Sequence, residues 1–310
     1  MRIYILSRNK DLYSTRRLVE EATAKGWEVR VIDYLKCTIE IMKNELVVNY
    51  EGKVLPTPDA IIPRIGASRT FYGAAMVRHF EMIDVFSTTG NLALTRSRDK
   101  LRSLQVLSKN DVDMPRTVFA SNKSSAKDVI ELSGGAPLVL KILEGTQGVG
   151  VVLVDSEKAA KSVLDAFYGM DVNLLVQEYI EEAGGADIRA FVVNNEVVGA
   201  MKRQGAEGDF RSNLHQGGSA VAYKLNRKEK ATAIAAAKAM GLGVCGVDMI
   251  PSKRGPLVME VNSSPGLEGI EKSTNINIAE RIMEFIEKSV KLSCPSNPQK
   301  RRIKKDNIGA

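Results

Sequence analysis

Val247-Asp248-Met249-Ile250-Pro251-Ser252-Lys253-Arg254-Gly255-Pro256-Leu257-Val258-Met259-Glu260-Val261-Asn262 is two apolar runs parted by a polar break that carries glycine and proline. Ser263-Ser264-Pro265-Gly266 follows it. The pattern predicts an antiparallel hairpin. A loop over 252–256 sets Pro251 against Leu257, and counting outward sets Asp248 opposite Glu260. Asn262 lies two residues on and projects from the same face as Glu260. Like charges opposed on a ladder repel, so the pairing makes chemical sense with a cation between them. Two carboxylates and an amide oxygen are hard ligands, too few to cage Ca²⁺. They suit Mg²⁺, which takes its remaining ligands from water and phosphate. A solvated hairpin with incidental acids is the plainer alternative.

Outward from the hairpin, the Ala-rich run 227–240 reads as a helix, and a polar loop over 205–218 precedes a short strand at 220–223. Strands are expected at 174–180, 187–193 and 197–203, the last two joined at Asn194-Asn195. Helices are expected at 124–132 and 156–168, with strands at 117–119, 138–143 and 151–154. One helix is expected over 97–110, with Asp99 and Lys100 in its first turn. The first ninety residues alternate strands (3–6, 27–33, 59–64) and helices (12–25, 68–83), with short strands over 38–55, as a small parallel α/β unit does. In such units ligands bind beyond the carboxyl ends of the strands, where Arg8 and Arg64 fall. Ile278, Ile282, Phe285 and Ile286 repeat at helical spacing and close the fold.

At 310 residues, 44% hydrophobic and 26% charged, the chain has the composition of a soluble globular protein with two or three packed units. The net charge of +7 is unevenly placed: six basic residues less Asp306 give +5 in residues 291–310. The body is nearly neutral, and the tail is expected to be disordered. That tail suits docking to an acidic or RNA-bearing partner such as the ribosome, or is merely a solubilising end. Cys37, Cys245 and Cys294 have no CxxC spacing, which points to a reducing compartment and away from structural zinc. His79 and His215 are the only histidines, so a histidine-rich metal site is excluded. Residues 2–6 are too short an apolar run for a signal peptide, and no uncharged apolar stretch is long enough to span a membrane. A cytoplasmic protein without membrane contact is expected.

Gly145, Gly148 and Gly150 lie in a loop between two strands, whereas a Walker loop or a dinucleotide fingerprint needs a helix next. A glycine flap between strands can instead lie over nucleotide phosphates, and Lys141 stands just before it, placed to reach phosphate oxygens. Gln177-Glu178-Tyr179-Ile180 ends a strand where a connector can pair with an adenine edge. Asp187 could accept from ribose hydroxyls or be an ordinary acid on a strand. Arg203 and Arg211 flank a polar loop and supply planar, permanently charged donors suited to phosphate.

A strand lysine before a glycine flap, a Gln-Glu-Tyr-Ile connector and a closing Asp…Met-Glu-Val-Asn-Ser-Ser-Pro-Gly resemble the ATP-grasp superfamily of carboxylate–amine ligases. Within it, Arg64-Ile65-Gly66, Asp99-Lys100-Leu101-Arg102, Glu144-Gly145-Thr146-Gln147-Gly148, Gly208-Asp209-Phe210-Arg211-Ser212-Asn213 and Pro265 to Lys272 are similar to the RimK family, which ligates glutamate onto the C-terminus of a small-subunit ribosomal protein. The resemblance implies an ATP-grasp fold of mixed α/β lobes. A pre-ATP-grasp parallel α/β domain would occupy 1–95, a small lobe with the flap 96–180, a C-terminal lobe with the metal hairpin 181–290, and the basic tail 291–310.

Carried over, Lys100, Lys141, Gly145, Gln147 and Gly148 would serve the phosphates, Glu178 and Tyr179 the adenine, and Asp187 the ribose. Arg211, Ser212 and Asn213 would serve ATP and the acyl-phosphate region, with Arg203 and Arg211 stabilising developing charge. Asp248, Glu260 and Asn262 would hold Mg²⁺ or Mn²⁺, with Glu260 bridging two ions. Arg8, Arg64 and Arg203 would meet the acceptor. Gln204 departs from relatives that carry a second arginine beside Arg203. The expected partners are ATP, glutamate, an acidic peptide or ribosomal-protein C-terminus, and further copies of the chain in a homo-oligomer. Two rival readings keep the fold: a ligase acting on a carrier protein or cofactor tail, and an ATP-binding regulatory module without turnover.

Overall fold

The computed structural model describes residues 1–121, 124–143, 150–206, 210 and 217–293. The chain opens with β1 (Arg2–Leu6), α1 (Tyr13–Ala24) and β2 (Glu28–Ile32). A separate antiparallel sheet of β3 (Cys37–Met42), β4 (Glu45–Tyr50) and β5 (Lys53–Val54) follows. Then come β6 (Ala60–Pro63), α2 (Thr70–Met82) and β7 (Phe86–Ser87). The first sheet runs β2-β1-β6-β7 with every pairing parallel. Its central strands are unbroken apolar runs because both faces are covered. Tyr4, Leu6 and Ile61 pack among Met76, Val77 and Phe80 of α2, while Ile3, Ile5 and Ile62 pack with Leu18 and the closing helix.

The expected single helix over 97–110 is two, α3 (Asn91–Arg98) and α4 (Lys100–Lys109). Asp99 breaks it: its backbone is extended (ψ 103°) and its side chain accepts from the Arg102 N–H, capping α4. The second sheet holds β8 (Thr117–Ala120), β9 (Leu138–Ile142), β10 (Val151–Val154) and β11 (Leu174–Glu178), in the order β10-β9-β11-β8 and antiparallel throughout. Helices α5 (Ala126–Leu132) and α6 (Glu157–Gly169) cover one face, burying Leu138, Leu140 and Val176. By the period of two, Lys141 and Gln177 project from the other face.

The third sheet comprises β12 (Ala186–Val193), β13 (Glu196–Gln204), β14 (Ser219–Ala222), β15 (Val244–Ser252) and β16 (Gly255–Asn262), in the order β14-β13-β12-β15-β16. Helix α7 (Arg227–Met240), with a capping box between Asn226 and Glu229, lies on one face. Its Ala233, Ala236 and Met240 bury Ile188, Ala190, Val247 and Met249. The opposite face is divided. Phe191, Val193 and Val244 are sealed by α8 (Glu268–Thr274) and α9 (Ile278–Ser293), whereas Asp187, Arg189 and Asp248, on the same face by alternation, lie beyond that apolar cover. The architecture is the expected mixed α/β fold, with β7, α3 and α8 added to the elements read from the sequence. No helix among the described residues is long and apolar enough to cross a membrane.

Candidate functional site

The hairpin that opened the sequence reading forms, but not with the expected loop. Ser252 pairs with Gly255, Pro251 with Pro256 and Ile250 with Leu257, leaving a two-residue turn at Lys253-Arg254. That register is one residue out from the count above. A bulge between Met249 and Asp248 takes up Met259 and restores Asp248 opposite Glu260. The β12–β13 hairpin behaves likewise. Counting from the Asn194-Asn195 turn sets Asp187 against Lys202, and a bulge between Val192 and Phe191 takes up Val198 and sets it against Arg203. Bulges of this kind re-aim the side chains beyond them.

Across the strands the side chains form one ionic chain. Arg189 grips Asp248 with two bonds, Nε to Oδ1 at 2.6 Å and Nη2 to Oδ2. Arg203 grips Asp187 in the same forked way and reaches Asp248 Oδ2 at 2.9 Å. Asp187 and Asp248 are each 2% exposed and Arg203 8%. Burial opposes the Asp248 charge, but Arg189 and Arg203 outweigh it and hold the carboxyl well below the usual carboxylate range. Burial also opposes the Arg203 charge, and Asp248 and Asp187 override it. Asp248 is therefore ionised whether or not a cation is near. The simple expectation of two bare repelling acids is corrected.

Glu260 is the group left unbalanced. Its side chain is open to solvent, yet protein packs closely around the carboxyl. Burial and then the charge of Asp248 push its carboxyl up. Asn262 Nδ2 donates to Glu260 Oε1 at 2.9 Å and lies 3.4 Å from Asp248 Oδ2, so its amide stands between the two acids. Turned over, the same amide would offer its oxygen there. No group of three or more His, Cys, Asp or Glu side chains able to hold a metal occurs among the described residues. The hairpin instead brings two acids and an amide together, a donor set that fits a hard cation completed by phosphate.

Two lysines feel Glu260, one from the start of α4 and one from β9. Burial pushes the Lys141 ammonium down to about 8, opposed by Glu260 and helped by Lys100. Its Nζ donates to Gln177 Oε1 at 2.6 Å, and Gln177 Nε2 donates in turn to Thr117. Lys100 Nζ donates to the carbonyls of Ile142 and Leu143 at the base of the glycine loop, at 3.0 and 3.2 Å. Burial pushes Lys100 down as well.

The remaining expected residues are scattered around this centre. Glu178 Oε1 accepts from the Arg116 N–H at 2.6 Å and from Arg254 at the hairpin tip. The Tyr179 ring stands edge-on to Phe210 at 6.4 Å. Arg8 is exposed. Arg64 Nη1 donates to the Pro265 carbonyl at 2.8 Å. Arg203, expected to face an acceptor, is instead committed to two aspartates. Gly145, Gln147, Gly148, Arg211, Ser212, Asn213 and the basic tail from Cys294 on lie outside the described residues.

Two groups, Arg189 and Arg98, escaped the sequence reading, and a third, Gln177, was read there only as part of the Gln-Glu-Tyr-Ile connector and not as the partner of Lys141. Arg189 shares a face with Asp187, but its pairing with Asp248 depends on β12 lying next to β15. Gln177 shares a face with Lys141 across β9 and β11. Arg98 was hidden by the expectation of an unbroken helix.

A family model described as the RimK-like ATP-grasp domain matches residues 97–286, and one described as the RimK PreATP-grasp domain matches 1–94. A probable alpha-L-glutamate ligase of Saccharophagus degradans is 60% identical over 301 residues, covering 97% of this chain and 99% of that protein. One of Vibrio vulnificus is 60% identical over 291 residues, 94% of this chain and 97% of that protein. Among solved structures, the ATP-grasp ligase PsnB complexed with minimal precursor, Mg and ADP superposes with a TM-score of 0.71 at 18% identity, over 94% of this chain and 98% of that one. A D-alanine–D-alanine ligase from Bacillus anthracis complexed with ATP gives 0.67 at 18% identity, over 94% and 97%. With both its models matched in order along almost the whole described chain, this protein belongs to the RimK family of ATP-grasp ligases.

Proposed function

We propose that this ligase uses ATP and Mg²⁺ or Mn²⁺ to add glutamate, by α-peptide linkage, to the C-terminal carboxylate of an acidic protein or peptide, in the first instance a small-subunit ribosomal protein. The observation that carries the reading is the meeting of Asp248, Glu260 and Asn262 on one face, within electrostatic reach of Lys100 and Lys141. The 60% identity to probable alpha-L-glutamate ligases supports glutamate as the amino acid added.

In this reading Asp248, Glu260 and Asn262 hold the cation, one ion or two. Arg189 and Arg203 are positioning residues that keep Asp248 ionised and aimed. Bound Mg²⁺ or Mn²⁺ would neutralise phosphate charge and hold the γ-phosphate in line for attack. Lys141, oriented by Gln177, and Lys100 meet the phosphates under the flap of Gly145, Gln147 and Gly148. Glu178 and Tyr179 border the adenine and Asp187 the ribose side. Arg211, Ser212 and Asn213 complete the phosphate contacts, and Arg8 and Arg64 receive the acceptor. An acceptor carboxylate oxygen attacks the γ-phosphorus, ADP leaves, and the glutamate amine then displaces phosphate to form the amide. Catalysis is positioning and charge stabilisation, so no protein nucleophile is needed.

Each product ends in another acidic α-carboxylate, so repeated addition is expected. Incubation with ATP, Mg²⁺, glutamate and an acidic peptide should give a mass ladder spaced by one glutamate residue, with phosphate released at each step. Amidating the peptide's C-terminus should abolish the ladder. Equal extension of the amidated peptide would overturn the α-linkage.

A further inference from the structure

The break at Asp99 sends Arg98 and Lys100 to different places. Lys100 turns to the flap base, while Arg98 reaches the loop after β6, where its Nη2 donates to the Ile65 carbonyl. Arg64 rises from the same loop and crosses to the Pro265 carbonyl. The turn carrying Pro265 is tied to β6 a second time by Ser264 Oγ on the Pro63 carbonyl, at 3.4 Å. Two guanidinium groups are thereby fixed beside one another by backbone carbonyls, which orient them without neutralising them.

Their charges are not otherwise balanced. Burial and the neighbouring Arg98 push Arg64 down to about 10. Burial pushes Arg98 down too, and Glu260 and the phenol of Tyr34 pull the other way. Glu260 is the one carboxylate among the groups felt by Arg98, and Lys100 and Lys141 feel it as well.

Unused hydrogen-bonding capacity gathers at the same seam. Among the described residues, the buried side-chain polar atoms without a partner are Arg98 Nε, Tyr34 Oη, Ser263 Oγ, His79 Nε2 and Tyr168 Oη. The first three flank this seam: Tyr34 lies within the field of Arg98 and Arg8, and Ser263 starts the turn that Arg64 holds. Tyr34 lies by the backbone of Gly66 without making a well-formed bond, and burial raises its phenol, so it stays a neutral donor. Buried donors left unpaired cost stability, and each of these three has a proton to offer an anion.

We propose that Arg64, Arg98, Tyr34 and Ser263 form a subsite for a substrate carboxylate other than the one being activated, next to the Glu260 end of the site. The proposal rests on the ligase reading above. The planar forks of Arg64 and Arg98 suit a carboxylate held by two parallel bonds. The phenol and the hydroxyl would take its remaining lone pairs. The carboxylate can come from the incoming glutamate or from the acidic last residue of the acceptor. Either way the seam makes the enzyme refuse the isosteric amide, because an amide would leave the guanidinium charges unanswered and set its own NH₂ against donors.

Steady-state kinetics with the full-length enzyme test this in two arms. One compares glutamate with glutamine as the added amino acid, and the other compares acceptor peptides ending in Glu or Gln. The wild-type enzyme is expected to prefer the acid by at least about 100-fold in kcat/KM in one arm. Arg98→Met should cut that preference by about 10-fold or more, through KM for that substrate, while the Kd for ATP stays within about twofold. Arg98→Lys should recover part of the preference. Tyr34→Phe, which removes only the hydroxyl, should lower it in the same arm and guards against a folding defect in Arg98→Met. The arm affected identifies the source of the carboxylate. If the wild-type enzyme ligates glutamate but Arg98→Met and Tyr34→Phe leave both preferences unchanged, the subsite is wrong while the ligase reading stands. If the folded wild-type enzyme ligates nothing, the ligase reading itself has failed.

Discussion

Lys141 illustrates how one residue's surroundings set its chemistry. Its ammonium is desolvated on the free face of β9 and pushed down to about 8. A lysine with a lowered pKa loses its charge as pH rises through that value, whereas bound phosphates would restore the proton. ATP binding should therefore take up protons. Uptake should be small near about pH 6.5 and grow through about pH 8 to 9. Calorimetry in buffers of differing ionisation enthalpy would measure it, and Lys141→Met should remove the pH-dependent part. A proton count that is flat with pH would contradict the assignment of Lys141 to the phosphates. Arg203 gives a second test, of stability. Removing it leaves Asp187 and Asp248 buried with only part of their compensation. Arg203→Met should cost about 3–5 kcal/mol in urea unfolding. Arg203→Lys should restore little of it, since an ammonium cannot fork across both carboxylates.

At the level of elements, two bulges decide which side chains meet. Val198 and Met259 are each an extra residue in one strand of a hairpin, and beyond each the register advances by one. Asp187 is thereby opposed to Arg203 rather than Lys202, and Asp248 is opposed to Glu260. The hairpin that bounds the glycine loop has its own constraint. Gly150 has φ +73°, and a Cβ there would lie 2.2 Å from the side chain of Ile142. Its carbonyl accepts from the Ile142 N–H at 3.0 Å, closing the loop's base next to the carbonyls that hold Lys100. Gly150→Ala should therefore weaken ATP binding by about 10-fold through a misplaced loop base, at an apo-stability cost of only about 1 kcal/mol. An unchanged Kd for ATP by calorimetry would separate the loop's conformation from nucleotide binding.

Over the whole molecule, α9 is the wedge that joins the first sheet to the third. Ile278, Ile282, Met283 and Ile286 share one core with Ile3, Ile5 and Leu18 on one side and Phe191 and Val244 on the other. Its start is braced by Glu271, whose Oε1 accepts from the N–H groups of Ile278 and Ala279 while Oε2 accepts from Tyr13 and Arg17 of α1. Gly243, the residue before β15, lies against Thr88, just past β7 of the first sheet. A Cβ there would lie 2.8 Å from the Thr88 carbonyl and 2.8 Å from the Phe285 ring, which itself packs edge-on to Phe86. Backbone and a packed ring cannot both give way, so Gly243→Ala should lower stability by about 1–3 kcal/mol in denaturant unfolding. Because Arg64 and Pro265 meet across the same junction, acceptor KM should rise with it. A fully stable Gly243→Ala protein would show the junction to be looser than its contacts.

The sequence by itself determined the local elements, because period-two and helical patterns, turn residues and caps act within a few residues of one another. It determined that Glu260 and Asn262 share a face, since alternation along a strand is a local property; Asp248 joins them because the bulge at Met259 offsets the shorter turn. It also carried the glycine loop after Lys141, and the family resemblance rested on the same short motifs. Tertiary structure decided the rest. Which strand lies beside β15 is a matter of long-range packing, so Arg189 could not be assigned to Asp248 from the chain alone. Arg203 looked like a free cation because its two acids arrive from strands on either side of a bulge and across the sheet. The break at Asp99 turns on one side chain choosing to cap α4 rather than continue a helix, and it leaves Arg98 at the end of α3, from where it reaches the loop that carries Arg64. Charge compensation is summed over neighbours in space, and no spacing along a sequence contains that sum.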